Sequence, residues 1–227
     1  MKLGILGGMG PMATVRFYEM IVKNTDANCD QEHIDTVIIS HATMPDRTKA
    51  ILDGEVDELL EKTRRDIQVF ERLACEYIAI PCNTMHYFYK DIQEMTEIKV
   101  LNMIEIAVDE AFRRFGNSKI AVLGTDGTMK TRIYENEIKK RNLEYLRVNK
   151  SEQELIMETI YGIKSTGNLY YPDFEKLIYN LLDKKSVDCI ILACTELSIA
   201  EFKNIESHKI VNAMKELSLK AVKLIKT

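Results

Sequence analysis

Two six-residue stretches carry the same chemistry in the same setting. One is P-C-N-T-M-H, Pro81 to His86, and the other is A-C-T-E-L-S, Ala193 to Ser198. Each follows a short apolar run of strand-forming residues, Tyr77-Ile78-Ala79-Ile80 and Cys189-Ile190-Ile191-Leu192. Each puts a cysteine, Cys82 or Cys194, where a strand should end and a helix begin. A helix N-terminus lowers a thiol's pKa from its free value of about 8.5 and raises the thiolate fraction near neutral pH. One thiolate can take a proton from a carbon acid while a thiol opposite returns one to the other face. Removal on one side and return on the other inverts a stereocentre, and exchanging the roles runs the step backwards. Two acid–base groups of like character are what such an inversion requires.

The elements that must position these thiols follow from periodicity. Apolar runs of strand type lie at about 2–7, 35–40, 76–81, 98–102, 119–124, 144–148, 188–193 and 209–212. Helix-period segments fall between them, near 11–26, 55–74, 84–95, 103–115, 128–141, 151–164, 172–184, 196–203 and 213–226. Near-continuous apolar strands alternating with helices predict an α/β fold of mostly parallel sheets covered by helices. The order also repeats. Lys2-Leu-Gly-Ile-Leu-Gly-Gly-Met-Gly-Pro-Met12 resembles Lys119-Ile-Ala-Val-Leu-Gly-Thr-Asp-Gly-Thr-Met129, and a cysteine turn follows each at similar distance. Two pseudo-symmetric lobes are expected, 1–100 carrying Cys82 and 101–207 carrying Cys194, with 208–227 returning to the first. Ligands of open parallel sheets bind outside the carboxyl ends of the strands. Both thiols are therefore expected at one cleft between the lobes.

Four turns should converge there: Gly7-Gly8-Met9-Gly10, Cys82-Asn83-Thr84, Thr125-Asp126-Gly127-Thr128 and Cys194-Thr195-Glu196. Each is read as opening a helix, whose free N–H groups and partial positive charge suit a small carboxylate or phosphate. Glu19, Asp126 and Glu196 are further acid–base candidates, and Glu196, next to a thiol, is the best placed.

Composition closes off other classes. The chain has 227 residues, ordinary apolar and charged fractions and a formal net charge of −4, with no basic stripe for nucleic acid. No apolar run is long enough to span a membrane. The N-terminal apolar run is too short and too glycine-rich for a signal peptide, so a cytoplasmic protein with five reduced cysteines is expected. There is no C-x-x-C pair, and four histidines without a clustered third ligand argue against zinc. Cys29, Cys75 and Cys189 read as small buried hydrophobes, His86 as a solvated residue of a first helical turn, and His33 as a turn or subunit-contact residue. Gly8-Met9-Gly10-Pro11-Met12-Ala13 fits a dinucleotide fingerprint, but Ser40 and His41 stand where the acid after the next strand belongs. Arg64-Arg65 and Lys139-Lys140-Arg141 read as solvated helix faces.

Taken in order, G-G-M-G-P-M-A-T (7–14), D-Q-E-H (30–33), P-D-R-T (45–48), P-C-N-T (81–84), G-T-x-G-T (124–128) and A-C-T-E (193–196) resemble the cofactor-independent aspartate/glutamate racemase superfamily, most closely its aspartate racemase branch. The resemblance runs through most of the chain. It implies Cys82 and Cys194 as the two bases, with no pyridoxal phosphate and no metal. It implies that Asn83, Thr84, Thr125, Thr128 and Thr195 hold the α-carboxylate and ammonium of a small amino-acid substrate, with Met9 and Glu196 at the same site. Arg47 would meet the side-chain carboxylate, a task suited to a planar bidentate fork. A lysine on a mobile segment of the second half has its nearest match in Lys164 of Y-G-I-K-S-T-G-N (161–168), shifted by one residue relative to Tyr161. A homodimer is also implied. The readings that share the fold are a maleate isomerase or arylmalonate-decarboxylase-like enzyme and a non-catalytic binding protein for small carboxylates.

Overall fold

A computed structural model describes residues 1–226. They divide into two compact units, Met1–Met103 together with the stretch from Met214, and Ile104–Ala213. The first unit contains β1 (Lys2–Gly7), α1 (Pro11–Asn24), β2 (Asp35–Ser40), α2 (Arg47–Asp53), α3 (Asp57–Arg72), β3 (Tyr77–Ala79), α4 (Tyr89–Glu94) and β4 (Lys99–Val100). Its four strands are parallel, in the order β2-β1-β3-β4. From α5 (Met103–Phe115), the second unit runs through β5 (Lys119–Gly124), α6 (Asp126–Lys130), α7 (Ile133–Lys140), β6 (Glu144–Leu146), α8 (Lys150–Thr166), α9 (Pro172–Asp183), β7 (Cys189–Ala193) and β8 (Ile210–Asn212). Its order, β6-β5-β7-β8, is again parallel throughout. Each sheet therefore places its first strand second in order and the cysteine-bearing strand beside it. Among the described residues no helix is long and apolar enough to cross a membrane.

The pattern of burial explains these sheets. Leu3 to Gly7 and Ile120 to Gly124 are buried without interruption, as strands covered on both faces require. On α3 the stripe Leu59, Thr63, Asp66, Ile67 and Phe70 faces inward while charged residues cover the opposite side. A Cβ on Gly4 would lie 2.8 Å from Phe70 Cδ1, so the glycine lets the ring lie directly on β1. Burying an Ile or Phe side chain of this kind contributes about 1.5–3 kcal/mol.

Several expectations are corrected. The strand at 209–212 does not return to the first lobe, because Ile210, Val211 and Asn212 pair in register with Ile190, Ile191 and Leu192 of β7. Only the final helix, α10 (Ala213–Lys226), goes back, where Ser218 Oγ accepts from Asn24 Nδ2 at 3.0 Å and Lys226 Nζ donates to the Glu32 carbonyl at 2.7 Å. The helix expected over 128–141 is two, broken where Arg132 adopts the left-handed conformation with φ of 54°. The segment containing Arg47 is a helix, started by Asp46, whose carboxylate accepts the Lys49 N–H at 2.8 Å, and ended by Gly54 at φ 75°. Cys29 is exposed, unlike Cys75 and Cys189. Arg141 is not a solvated charge; it is mostly buried and bonds Asp109 and Glu137.

Candidate active site

The register of the first sheet fixes which turns lie side by side. β1 pairs with β2 as far as Gly7 opposite Ser40, and with β3 as far as Ile5 opposite Ala79. Carried on to the strand ends, the register sets His41, Gly8 and Cys82 in one row. In the second sheet Gly124 is opposite Ala193, so Thr125 and Cys194 are likewise neighbours. Each cysteine thus follows the third-ranked strand of its sheet, Cys194 one residue and Cys82 three residues past the ladder, beside the turn after the second-ranked strand.

The helix termini invoked above are not what surrounds the thiols. Cys82 leads into a 3-10 turn over Thr84–Phe88, and Cys194 into one over Leu197–Ile199. Thr125 caps only the five-residue α6, its hydroxyl accepting the Thr128 N–H at 3.2 Å and lying 3.2 Å from the Thr128 hydroxyl. Only the Gly7–Gly10 turn opens a long helix, and there the Gly8 N–H is already donated to Thr14 Oγ1 at 2.8 Å. Thr14 in turn donates to the Gly10 carbonyl at 3.0 Å and clamps the turn shut. A strong helix dipole at both thiols is therefore absent.

What holds Cys194 is a carboxylate. Its thiol donates to Glu196 Oε2 at 2.9 Å, the Thr195 hydroxyl donates to the same oxygen at 3.2 Å, and Lys164 Nζ lies 3.5 Å from Oε1. Lys164 reaches there from the last turn of α8, which a capping box of Asn149 and Glu152 starts and Gly167 ends. Burial first, and the Glu196 charge second, push the Cys194 thiol well above its ordinary range, the reverse of the depression read from sequence. The group is a thiol at rest. Tyr134, buried nearby on α7, has its phenol pushed up by burial and by the Cys194 charge.

Cys82 has other surroundings. It belongs to an apolar cluster with Met9, Met44 and Met85 and is 6% exposed. Met9 is thus a core side chain beside the thiol. His86 is buried, not solvated: its Nδ1 lies 2.9 Å from the Cys82 carbonyl, and the Met103 N–H donates to Nε2 at 3.0 Å. These two partners assign a neutral ring with the proton on Nδ1, and burial pushes its pKa down. Asn83 and Thr84 are buried in the turn that follows. Arg47, the first residue of α2, donates from Nη1 to the Pro45 carbonyl at 2.9 Å and more weakly to that of Met44 at 3.4 Å. Its Nε is buried and has no hydrogen-bond partner among the described residues.

Of the other acids, Glu19 is a surface group held well below the usual carboxylate range by Lys23 and Arg16. Asp126 accepts from Gln153 Nε2 at 3.0 Å. Among the described residues no three His, Cys, Asp or Glu side chains cluster as metal ligands would. Sequence reasoning missed the pairing of His41 Nδ1 with Asp66 Oδ2 at 2.7 Å. The signal was present, since Asp66 occupies the apolar stripe of α3, where a lone carboxylate must find a partner.

Two parallel four-stranded sheets flanked by helices, each with a cysteine at the carboxyl end of an equivalent strand, define a two-lobed α/β racemase fold. The profile of the Asp/Glu/Hydantoin racemase family matches residues 6–214. The chain is 30% identical over 210 residues to the broad specificity amino-acid racemase RacX of Bacillus subtilis, covering 86% of each. Among solved structures, the aspartate racemase of Picrophilus torridus superposes with a TM-score of 0.82 at 25% identity, over 99% of this chain and 94% of that one. The glutamate racemase of Aquifex pyrophilus shares the fold, with a TM-score of 0.64 at 18% identity over 99% and 84%. The chain belongs to the Asp/Glu/Hydantoin racemase family and is an amino-acid racemase, an isomerase, of that family.

Proposed function

We propose that the protein racemises acidic amino acids, aspartate first and glutamate second, by proton transfer between Cys82 and Cys194 without a cofactor. One thiolate removes the Cα proton, the electron pair delocalises toward the α-carboxylate, and the other thiol's proton is added to the opposite face. The removed proton stays on the first sulfur, so each turnover leaves the enzyme poised for the reverse direction. The observation that carries this reading is the Cys194 thiol hydrogen-bonded to Glu196, a loaded proton donor in the position matching Cys82. After donation, the Cys194 thiolate lies beside a carboxylate, a like-charge pair that favours reprotonation and that Lys164 moderates.

Arg47 supports a dicarboxylic substrate. Its unpaired Nε–H is a buried donor that a carboxylate would satisfy, and leaving such a donor unmade is costly. Asn83, Thr84, Thr125, Thr128 and Thr195 supply the amide and hydroxyl groups we assign to the α-carboxylate and ammonium. Similarity to a racemase of broad specificity makes neutral amino acids part of the test.

The experiment incubates the reduced protein in D₂O with L-aspartate, L-glutamate or L-alanine. Cα–H loss is followed by NMR and configuration by chiral chromatography. Exchange with appearance of the D-enantiomer is expected for aspartate, and Cys82→Ala and Cys194→Ala are each expected to abolish it. A single variant racemising at near the parental rate refutes the two-base assignment. Silence on all three amino acids, with maleate isomerised instead, would move the reaction class.

A further inference from the structure

The reaction as proposed leaves the His41–Asp66 pair without a task. Asp66 is 9% exposed, on the face of α3 that packs Leu59, Ile67 and Phe70 into the core. His41 follows β2 directly, and its N–H donates to the Gly7 carbonyl at 3.2 Å. Its ring gives Nδ1 to Asp66 at 2.7 Å, and Nε2 has no partner among the described residues. The side chain is 21% exposed, so the pair is neither sealed in the core nor out on the surface.

Position makes the pair more than a tie between a loop and a helix. Carried past the last paired residues, Gly7 with Ser40 and Ile5 with Ala79, the register brings His41 and Cys82 to the two sides of Gly8, in a row two strand spacings of ~4.8 Å across. Between them is Gly8 at φ 86°, whose added Cβ would run into the backbone of His41, so the middle of the row carries no side chain. Arg47 lies on the same connection between β2 and α3.

Resting on the amino-acid reading above, we infer that His41 is a substrate-contacting specificity residue: Asp66 orients its ring, and Nε2 receives the side-chain carboxylate of an amino acid whose Cα lies at Cys82. Together with Arg47 this gives the side-chain carboxylate two donors, one of them an imidazolium whose two N–H groups serve Asp66 and the substrate.

The test uses the intact protein labelled with [¹⁵N]histidine, whose four histidines give few enough signals to assign. It is titrated with L-aspartate and, separately, with the isosteric L-asparagine. A saturable shift of the His41 Nε2 resonance with aspartate, much smaller with asparagine, is expected. In kinetics, His41→Asn, whose Nδ2 stands where the ring's Nδ1 does and can still donate to Asp66, should lower the aspartate-to-asparagine ratio of kcat/KM about tenfold or more, ~1.4 kcal/mol. Asp66→Asn should act in the same direction. An unmoved His41 signal while aspartate is being racemised at saturation, or a His41→Asn loss shared equally by both amino acids, assigns the pair a purely structural role and overturns the inference. If the protein racemises no amino acid, the same titration with aspartate and succinate still decides. A saturable shift keeps His41 as a dicarboxylate contact although the racemase reading has failed, and no shift removes both.

Discussion

Replacing Glu196 by Gln isolates a single charge at the second thiol. The carboxylate accepts the Cys194 proton at 2.9 Å and, after burial, is the largest cause of that thiol's raised pKa. Glutamine keeps the shape and an acceptor oxygen but not the charge, and leaves Lys164 to favour the thiolate alone. Two readouts should therefore move in opposite directions. Alkylation of Cys194 by iodoacetamide should accelerate, because each unit by which a thiol pKa falls is worth about 1.4 kcal/mol, a tenfold gain in thiolate where the thiol form predominates. Racemisation should slow. A hydrogen bond to a charged group contributes about 1.5–3 kcal/mol, and at about 1.4 kcal/mol per decade its loss lowers kcat/KM roughly ten- to a hundredfold. Both cysteine peptides are quantified by mass spectrometry from one sample, with Cys82 as the internal reference. Both thiols are nearly buried, and comparing variant with parent cancels the opening step that admits the reagent. A Cys194 rate unchanged or slowed relative to Cys82 would refute the claim that Glu196 holds the proton.

Two further outcomes follow from the first lobe. His86 is neutral and buried with its pKa pushed below the ordinary 6.5, so the unfolded chain binds its proton more readily than the folded one. The stability this contributes is present above about pH 6.5 and is lost as pH falls below it, with a slope of up to about 1.4 kcal/mol per pH unit. Melting curves from pH 7.5 to 5 should fall more steeply for the parent than for His86→Gln, and parallel curves would remove His86 as the cause. Gly8→Ala forces a side chain into a left-handed position against the His41 backbone. A cost of about 1–3 kcal/mol should lower Tm by about 2–4 °C per kcal/mol in calorimetry, and a Tm within a degree of the parent's would show that the turn yields.

The sheets were legible because each strand is a buried apolar run whose pattern needs no partner to be recognised. All eight lie within a residue or two of their expected places, and the duplicated Lys2 and Lys119 strands predicted the repeated order. What was not legible depends on tertiary contacts. The return of the chain after Asn212, not before Lys209, is decided by which sheet edge Val211 finds, and sequence offers no preference. The helix at Arg47 has a single fully buried residue, Ala50, and so lacks the apolar stripe that announces α3. The thiol environments misled most. A cysteine after a strand suggests a helix dipole, yet both turns are 3-10 and the second thiol answers to Glu196, two residues away in sequence. His86 looked like a surface residue because its partners, the Cys82 carbonyl and the Met103 N–H, are backbone groups, to which side-chain patterns are blind.

The two matching sheets carry like thiols after equivalent strands, but the surroundings of those thiols differ. Cys82 lies among methionines, with its carbonyl pinned by a neutral imidazole; Cys194 is loaded by a carboxylate that raises its proton affinity. A racemase tolerates this inequality for a thermodynamic reason. Enantiomers have equal free energies in achiral solution, so the equilibrium constant is one and kcat/KM must match in the two directions whatever the thiols' proton affinities. Nothing constrains kcat by itself. On the two-thiol mechanism proposed above, the proton returns readily to Cys194 and leaves it reluctantly, so the direction in which Cys194 is the base begins from the scarcer form of the enzyme. Initial rates from pure L- and pure D-aspartate should therefore give unequal kcat values, with KM unequal in the same proportion. In Glu196→Gln the two kcat values should approach each other as the surroundings of Cys194 become more like those of Cys82. Equal kcat values in the parent would mean that the bound substrate levels the two thiols before the proton moves, and that the Glu196 contact governs only the free enzyme.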